Sequence, residues 1–315
     1  MTTVLMIHHQ PDDIRGIVEA RFPDVTVGYA AKPDEIGAQL EALKPEAVFS
    51  IQDASLPGKY HHQAVTAPSV KWVQVGGSGY EQMQPFDPEK IVLTNSAGVI
   101  ARHLAQTVTG AMIALNGHFF RYRAQQQAHD WAPIRFRPMA GQTLLVVGLG
   151  QIGDWVAKNA KALGMTVHAV RRRQEPVDHV DQLFAPDDLM TALGDADVVS
   201  VHVRANNETR HMFNDAAFAA MMPGSFFLNT ARGMVCDTQA LIAALDRGHV
   251  AGAYLDVFEE EPLPTSHPLW DRDDVFMMPH SSDNIVGWET AFTEFFADNL
   301  ERWRAGMPLV NTIQG

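Results

Sequence analysis

Leu144-Leu145-Val146-Val147-Gly148-Leu149-Gly150-Gln151-Ile152-Gly153 is the stretch that decides how this chain of 315 residues folds. Its apolar run from Leu144 to Val147, stopped by glycine, reads as a buried strand. Behind the glycines, Ile152, Val156, Ala157, Ala160 and Leu163 recur at helical spacing, Gly164 can end the helix, and Thr166 to Val170 reads as the next strand. Strand, glycines, helix and strand in this order form the phosphate-binding part of a dinucleotide site. Gly148, Gly150 and Gly153 would allow a tight turn, backbone approach to a pyrophosphate and close helix packing. The helix N-terminus would face the phosphates.

The end of the second strand ordinarily carries a carboxylate for the ribose hydroxyls of NAD. Here it carries Arg171, followed by Arg172 and Arg173. Guanidinium groups suit a ribose 2′-phosphate through forked, charge-assisted hydrogen bonds, and no carboxylate occupies that place to repel it. The expectation is NADP(H) over NAD(H), against the plainer reading of a solvated basic turn. The arginine cluster stands out because the chain as a whole has a net charge of −13. That charge argues against nucleic acid or an anionic membrane as the main partner.

With 46% hydrophobic residues the chain has core enough for two α/β domains. Cys236 is the sole cysteine, and Met-Thr-Thr-Val-Leu-Met lacks the basic segment of a signal peptide, so a cytoplasmic setting is expected. The longest apolar stretches, such as Thr107 to Leu115, are too short to span a bilayer.

Strand-like and helix-like segments already alternate before the glycines: Val4 to Ile7, Ile14 to Arg21, Val25 to Gly28, Ile36 to Leu43 and Ala47 to Ser50, with further strands at Trp72 to Val75 and Ile91 to Leu93. This is a parallel α/β pattern without a cofactor fingerprint. A long helix is expected from Ala101 to about Arg123, ending in a polar Gln-Gln-Gln-Ala-His-Asp segment. After Thr166 to Val170, strands are expected at Val198 to Val203, Ser225 to Asn229, Gly252 to Val257 and Val275 to Met278. From Asp283 to Trp303 a broad apolar helical face (Ile285, Trp288, Phe292, Phe295, Phe296, Leu300) needs a partner, which periodicity alone leaves open between the two domains.

In open α/β sheets ligands bind beyond the carboxyl ends of the strands. Three such ends carry candidate chemistry: Thr230-Ala231-Arg232-Gly233, Phe258-Glu259-Glu260-Glu261-Pro262 and Pro279-His280-Ser281. A hydride delivered to a carbonyl carbon leaves oxygen charge that needs a proton, which a histidine such as His280 can donate. A neighbouring carboxylate would hold that histidine's tautomer and charge, and an arginine would grip a substrate carboxylate. Each residue also has a plainer reading: His280 as a loop residue, the glutamates as a solvated acidic loop, Arg232 as a carbonyl cap or partner of Asp237. Residue chemistry does not choose among the three glutamates. The remaining histidines, including His8-His9 and His61-His62, lack metal-ligand spacing, so no metal is expected.

Together these motifs resemble the D-isomer-specific 2-hydroxyacid dehydrogenases, in particular their glyoxylate/hydroxypyruvate reductase-like branch. The match rests on Val147 to Gly153, Leu228 to Gly233, Leu255-Asp256-Val257-Phe258 leading to Glu261-Pro262-Leu263-Pro264, and Pro279-His280. The resemblance implies a Rossmann cofactor domain (99–284) inserted in a flavodoxin-like substrate domain (1–98 plus 285–315), with closure about the hinge. By the same resemblance Arg232 binds the 2-oxoacid carboxylate, His280 is the general acid/base and Glu261, before Pro-Leu-Pro, is its partner. It further implies that Asp256 lies near the nicotinamide carboxamide, that Ala231 lines the cofactor, and that Gly76, Gly77 and Ser78 offer amides to the substrate carboxylate. A homodimer is implied as well, with Trp131 either lining a pocket across the interface or packing on the surface.

The chain departs from the family pattern at Ala105-Gln106, at Arg204-Ala205 and at Ser281-Ser282-Asp283-Asn284. The last of these bears on substrate size. The expected activity is NADPH-dependent reduction of small 2-oxoacids, glyoxylate or hydroxypyruvate first, to D-2-hydroxyacids. The same residues permit the oxidative direction, and a nucleotide-sensing interaction protein of the same fold is the alternative.

Overall fold

A computed structural model describes residues 2–52 and 55–313. The chain divides into two compact units, residues 1–100 with 285–315 and residues 101–284. Each is built on one all-parallel sheet, as the alternating pattern predicts.

In the first unit the strands are β1 (Thr3–Ile7), β2 (Thr26–Ala30), β3 (Ala47–Ser50), β4 (Trp72–Val75) and β5 (Val92–Asn95), ordered β2-β1-β3-β4-β5. Helices α1 (Arg15–Arg21), α2 (Pro33–Leu43) and α3 (Gln63–Thr66) lie between them in sequence. Strands β3 and β4 are buried at every residue, which is why they are mostly apolar instead of alternating, with Ser50 and Gln74 the buried polar exceptions. The C-terminal helix Trp288–Arg304 belongs to this unit. It lays Phe292, Phe296 and Leu300 into a core with Val4, Phe49 and Trp72, and the Phe296 ring stacks 5.0 Å from both Phe49 and Trp72.

The second unit holds β6 (Thr143–Val147), β7 (Thr166–Val170), β8 (Gln182–Phe184), β9 (Val198–Val201), β10 (Ser225–Asn229), β11 (Val250–Leu255) and β12 (Val275–Met277), ordered β12-β11-β10-β9-β6-β7-β8. Its helices are α4 (Ala101–Asn116), α5 (Phe119–Ala128), α6 (Gln151–Ala162), α7 (Leu189–Leu193), α8 (Asp215–Ala220) and α9 (Thr238–Asp246). Alternation along β6 fills two cores: Leu145 and Val147 join Val199, Phe213 and Phe227, while Leu144 and Val146 face α4 and α6 with Val198 and Tyr254.

Three expectations need correction. The long helix from Ala101 does not run to Arg123: α4 stops at Asn116, His118 takes a left-handed φ of 56°, and α5 carries the Gln-Gln-Gln segment inside a helix. Gly117 sits at the break because a Cβ there would come within 2.7 Å of the Phe119 ring. Strand β8 is absent from the sequence reading, since an edge strand of three residues has too little pattern to read. The strand expected over Val198 to Val203 ends at Val201, where His202 turns against Gly148.

Candidate active site

At the carboxyl end of β6, each glycine of the motif has a different neighbourhood. Gly148 adopts φ 99°, and a Cβ on it would meet the His202 carbonyl carbon at 2.8 Å. A Cβ on Gly153 would approach the Gly148 carbonyl oxygen at 2.3 Å, so the helix can sit this close to the strand only without a side chain. Gly150 is different: nothing in the protein lies within 4 Å of its Cβ position, and its φ of −91° suits any residue. As N-cap of α6 it supplies no side-chain hydrogen bond, so the first-turn amides are left open to a ligand. An open backbone cradle at a helix start fits a pyrophosphate, which needs close approach at this glycine. Leu149 and Ile152 pack part of their side chains on the α4–α6 core, whereas Gln151 is exposed.

Beyond β7 the three arginines part company. Arg171 turns inward, its Nε donating to the Arg173 carbonyl and its Nη2 to the Glu175 carbonyl. Arg172 reaches out and pairs with Glu208, from the loop after β9. Arg173 is exposed. Sequence reading offers no signal for Glu208, which stands 36 residues from its partner. His202, at the end of β9, is likewise missed by it. The His202 ring bridges Ser200 (2.8 Å) and Thr230 (3.1 Å), joining the ends of β9 and β10, and burial pushes its pKa down to about 3, so the bridge is neutral.

The adjacent strands β10, β11 and β12 present the remaining candidates. After β10, the Asn229 side chain accepts from the Ala231 amide and donates to the Arg232 carbonyl, fixing the turn that carries Arg232. Arg232 itself donates to the Ala231 carbonyl at 2.8 Å. Gly233 brings this turn against the next one: a Cβ there would overlap the Phe258 carbonyl at 1.9 Å.

After β11, the three glutamates separate by contact. Glu259 binds His211 (2.7 Å) and the Thr238 amide (3.1 Å), a bracing role, and Glu260 is exposed. Glu261 accepts from the Phe258 amide through Oε1 and meets His280 Nδ1 through Oε2 at 2.8 Å. Asp256 is buried, and its Oδ1 takes the amides of Ser281 (2.8 Å) and Ser282 (3.1 Å), while its backbone carbonyl takes the His280 amide. The carboxylate thus grips the loop that presents His280. That histidine has φ 48°, a left-handed conformation uncommon for a residue with a side chain. Ser282 in turn bonds the buried Tyr254 hydroxyl at 2.5 Å.

Gly76, Gly77 and Ser78 lie after β4 in the other unit. Gly76 is pressed on Ile51, where a Cβ would come within 2.3 Å, and Gly77 has φ 137°. The carbonyls of Gly77 and Ser78 accept from the Ser96 amide and the Asn95 side chain, both at 2.7 Å. In a trans peptide the following N–H points the opposite way, so the amides of Ser78 and Gly79 turn away from that anchorage. Among the described residues no group of three or more His, Cys, Asp or Glu could hold a metal, and no helix is long and apolar enough to cross a membrane.

Residues 109–282 match the family model described as "D-isomer specific 2-hydroxyacid dehydrogenase, NAD binding domain". The chain is 33% identical to a glyoxylate reductase of Thermofilum pendens over 244 residues, 74% of this chain and 72% of that one. It is 32% identical to glyoxylate/hydroxypyruvate reductase B of Salmonella paratyphi A over 291 residues, 88% of this chain and 87% of the other. A D-isomer specific 2-hydroxyacid dehydrogenase of Xanthobacter autotrophicus, solved in complex with NADPH and MES, superposes with a TM-score of 0.84 at 25% identity, covering 100% of this chain and 98% of the other. With a glycine cradle fit for a dinucleotide and a histidine–carboxylate pair at the strand ends of the same sheet, the chain belongs to the D-isomer-specific 2-hydroxyacid dehydrogenases.

Proposed function

We propose that the chain reduces small 2-oxoacids, glyoxylate and hydroxypyruvate first among them, to D-2-hydroxyacids with NADPH. The observation that carries the reading is the contact of His280 Nδ1 with Glu261 at 2.8 Å, on a loop gripped by Asp256 and one strand away from the turn that holds Glu261. With Nδ1 engaged, Nε2 is the nitrogen that faces substrate and gives its proton to the carbonyl oxygen. Glu261 holds the ring's tautomer and orientation for that transfer. A bound reduced nicotinamide supplies the hydride to the carbonyl carbon. Arg232 binds the substrate carboxylate, which fixes the carbonyl in position. In the five-stranded unit, carboxylate binding is assigned to the loop Gly76 to Ser78.

The cofactor preference is supported by Arg172 and Arg173 at the end of β7, by the absence of a carboxylate at position 171, and by a relative of the same fold solved in complex with NADPH. Ala231 and Asp256 border the cofactor in this reading, with Asp256 holding the histidine loop besides. We assign residues 99–284 to the cofactor and 1–98 with 285–315 to the substrate, and the setting to the cytoplasm. A homodimer is supported by the segment after α4, where Phe119 and Phe136 are each 57% exposed and Trp131 is 99% exposed, apolar surface that a second copy would cover.

Parallel assays of NADPH and NADH oxidation with glyoxylate, hydroxypyruvate, pyruvate and bulkier 2-oxoacids test the proposal. Faster NADPH oxidation with the small acids, lost in His280→Ala, is the expected result. No turnover with any 2-oxoacid would leave the nucleotide-sensing alternative in its place.

A further inference from the structure

The sheet order puts β9 and β7 on either side of β6, so the loops after β9 and β7 flank the glycine loop. The Arg172–Glu208 ion pair joins those two loops. Resting on the NADPH reading above, we propose that Glu208 is an internal stand-in for the cofactor's 2′-phosphate, and that it moderates the nucleotide preference by competing for Arg172.

Both partners are held for this by their backbones and free to exchange by their side chains. On one loop, Arg171 spends its guanidinium on the carbonyls of Arg173 and Glu175, with only 19% of its side chain exposed, so it braces the turn and points Arg172 outward. On the other, the Asn206 side chain accepts from the amides of Glu208 (2.8 Å) and Thr209 (3.0 Å), and Thr209 Oγ1 donates to the Arg204 carbonyl (2.7 Å), which fixes where Glu208 starts. The side chains of Arg172 and Glu208 are 75% and 74% exposed. A pair this solvated is weak and easily traded. A phosphate carries more charge than a carboxylate and offers three acceptor oxygens, so it displaces Glu208 from the guanidinium. A nucleotide lacking the 2′-phosphate has nothing to put there and leaves the pair closed. Glu208 therefore opposes only the phosphorylated cofactor, moderating its affinity and reclaiming Arg172 when it leaves.

Calorimetric binding of adenosine 2′,5′-bisphosphate and of 5′-AMP to the full chain tests this, with Glu208→Gln, Arg172→Gln and the double variant. Glu208→Gln should tighten the bisphosphate about two- to fivefold, the range expected for freeing one exposed ion pair, and leave 5′-AMP unchanged. The gain should vanish in the Arg172→Gln background and shrink as salt is raised. If Glu208→Gln leaves the bisphosphate affinity unchanged while the bisphosphate still binds tighter than 5′-AMP, Glu208 has no such role and the NADPH reading stands. Weakened 5′-AMP binding in Glu208→Gln would make it a ribose-hydroxyl acceptor, which also overturns the proposal. A wild-type chain that binds both nucleotides equally would sink the NADPH reading itself.

Discussion

The two units repeat one plan with different ends. In each, the first strand is interior, its successor lies on one side and a later strand on the other: β2-β1-β3 in one, β7-β6-β9 in the other. Parallel sheets open a crevice at such a reversal. The segments after β1 and β6 differ. β6 runs into Gly148 and a helix of 12 residues whose N-cap, Gly150, leaves its amides uncovered. β1 runs into His8, buried and accepting from the Gln10 amide, and then a single turn in which Asp12 is paired with Arg15 while Asp13 would repel an anion. α6 likewise bears an acid in its first turn, Asp154, paired with Lys158 and His179. The same sheet topology therefore presents open helix amides after the strand in one unit and a short acidic turn at the matching place in the other, because the residues after the strand decide it.

The largest effect should come from the seven-stranded unit's strand ends. His280→Ala is expected to lower turnover by about 10²–10⁴, the usual contribution of a general acid, while nucleotide affinity holds. Steady-state kinetics beside a binding isotherm checks this; equal loss of both would mean a structural role. Phe296→Ala strikes the other unit: removing the ring between Phe49 and Trp72 should cost about 3–5 kcal/mol of stability. Nucleotide binding by the folded protein should survive, so a denaturation curve paired with calorimetry shows how far the units are independent.

Gly150→Ala sharpens the contrast further. No protein atom opposes the new methyl group, so thermal stability should be nearly unchanged, yet nucleotide affinity should fall about tenfold or more, equivalent to about 1.4 kcal/mol. A drop in melting temperature without loss of binding would show that packing, not a ligand, demands this glycine. Gly16→Ala, equally open in the other unit, should do neither.

The last effect concerns acid and is confined to low pH. Burial lowers the His202 pKa to about 3, below its unfolded value near 6.5, so its neutral bridge adds stability that is complete above about pH 6.5 and lost as pH falls towards 3. His202→Gln should flatten that part of the stability–pH curve. A wild-type curve without a slope between those values would contradict it.

How much of the molecule is legible in its sequence depends on distance along the chain. The strand, the glycines and α6 span 20 consecutive residues or so, and periodicity within that reach is a local property that backbone geometry dictates. The parallel sheets are legible in the alternation of apolar runs and amphipathic stretches for the same reason. By contrast, residue chemistry leaves three glutamates open. Glu261 meets His280 because β11 and β12 are neighbours, whereas Glu259 is drawn off by His211, 48 positions away. The arginines look equivalent in sequence, yet one folds onto its own loop and the next reaches Glu208.

Sequence by itself determined the fold class and the family, since each is written in short-range pattern. Only the tertiary structure decided which arginine faces outward, that Glu259 is drawn off by His211, and that Asp256 holds the histidine loop. Those outcomes depend on which strand ends become neighbours, and that adjacency comes from packing the whole sheet.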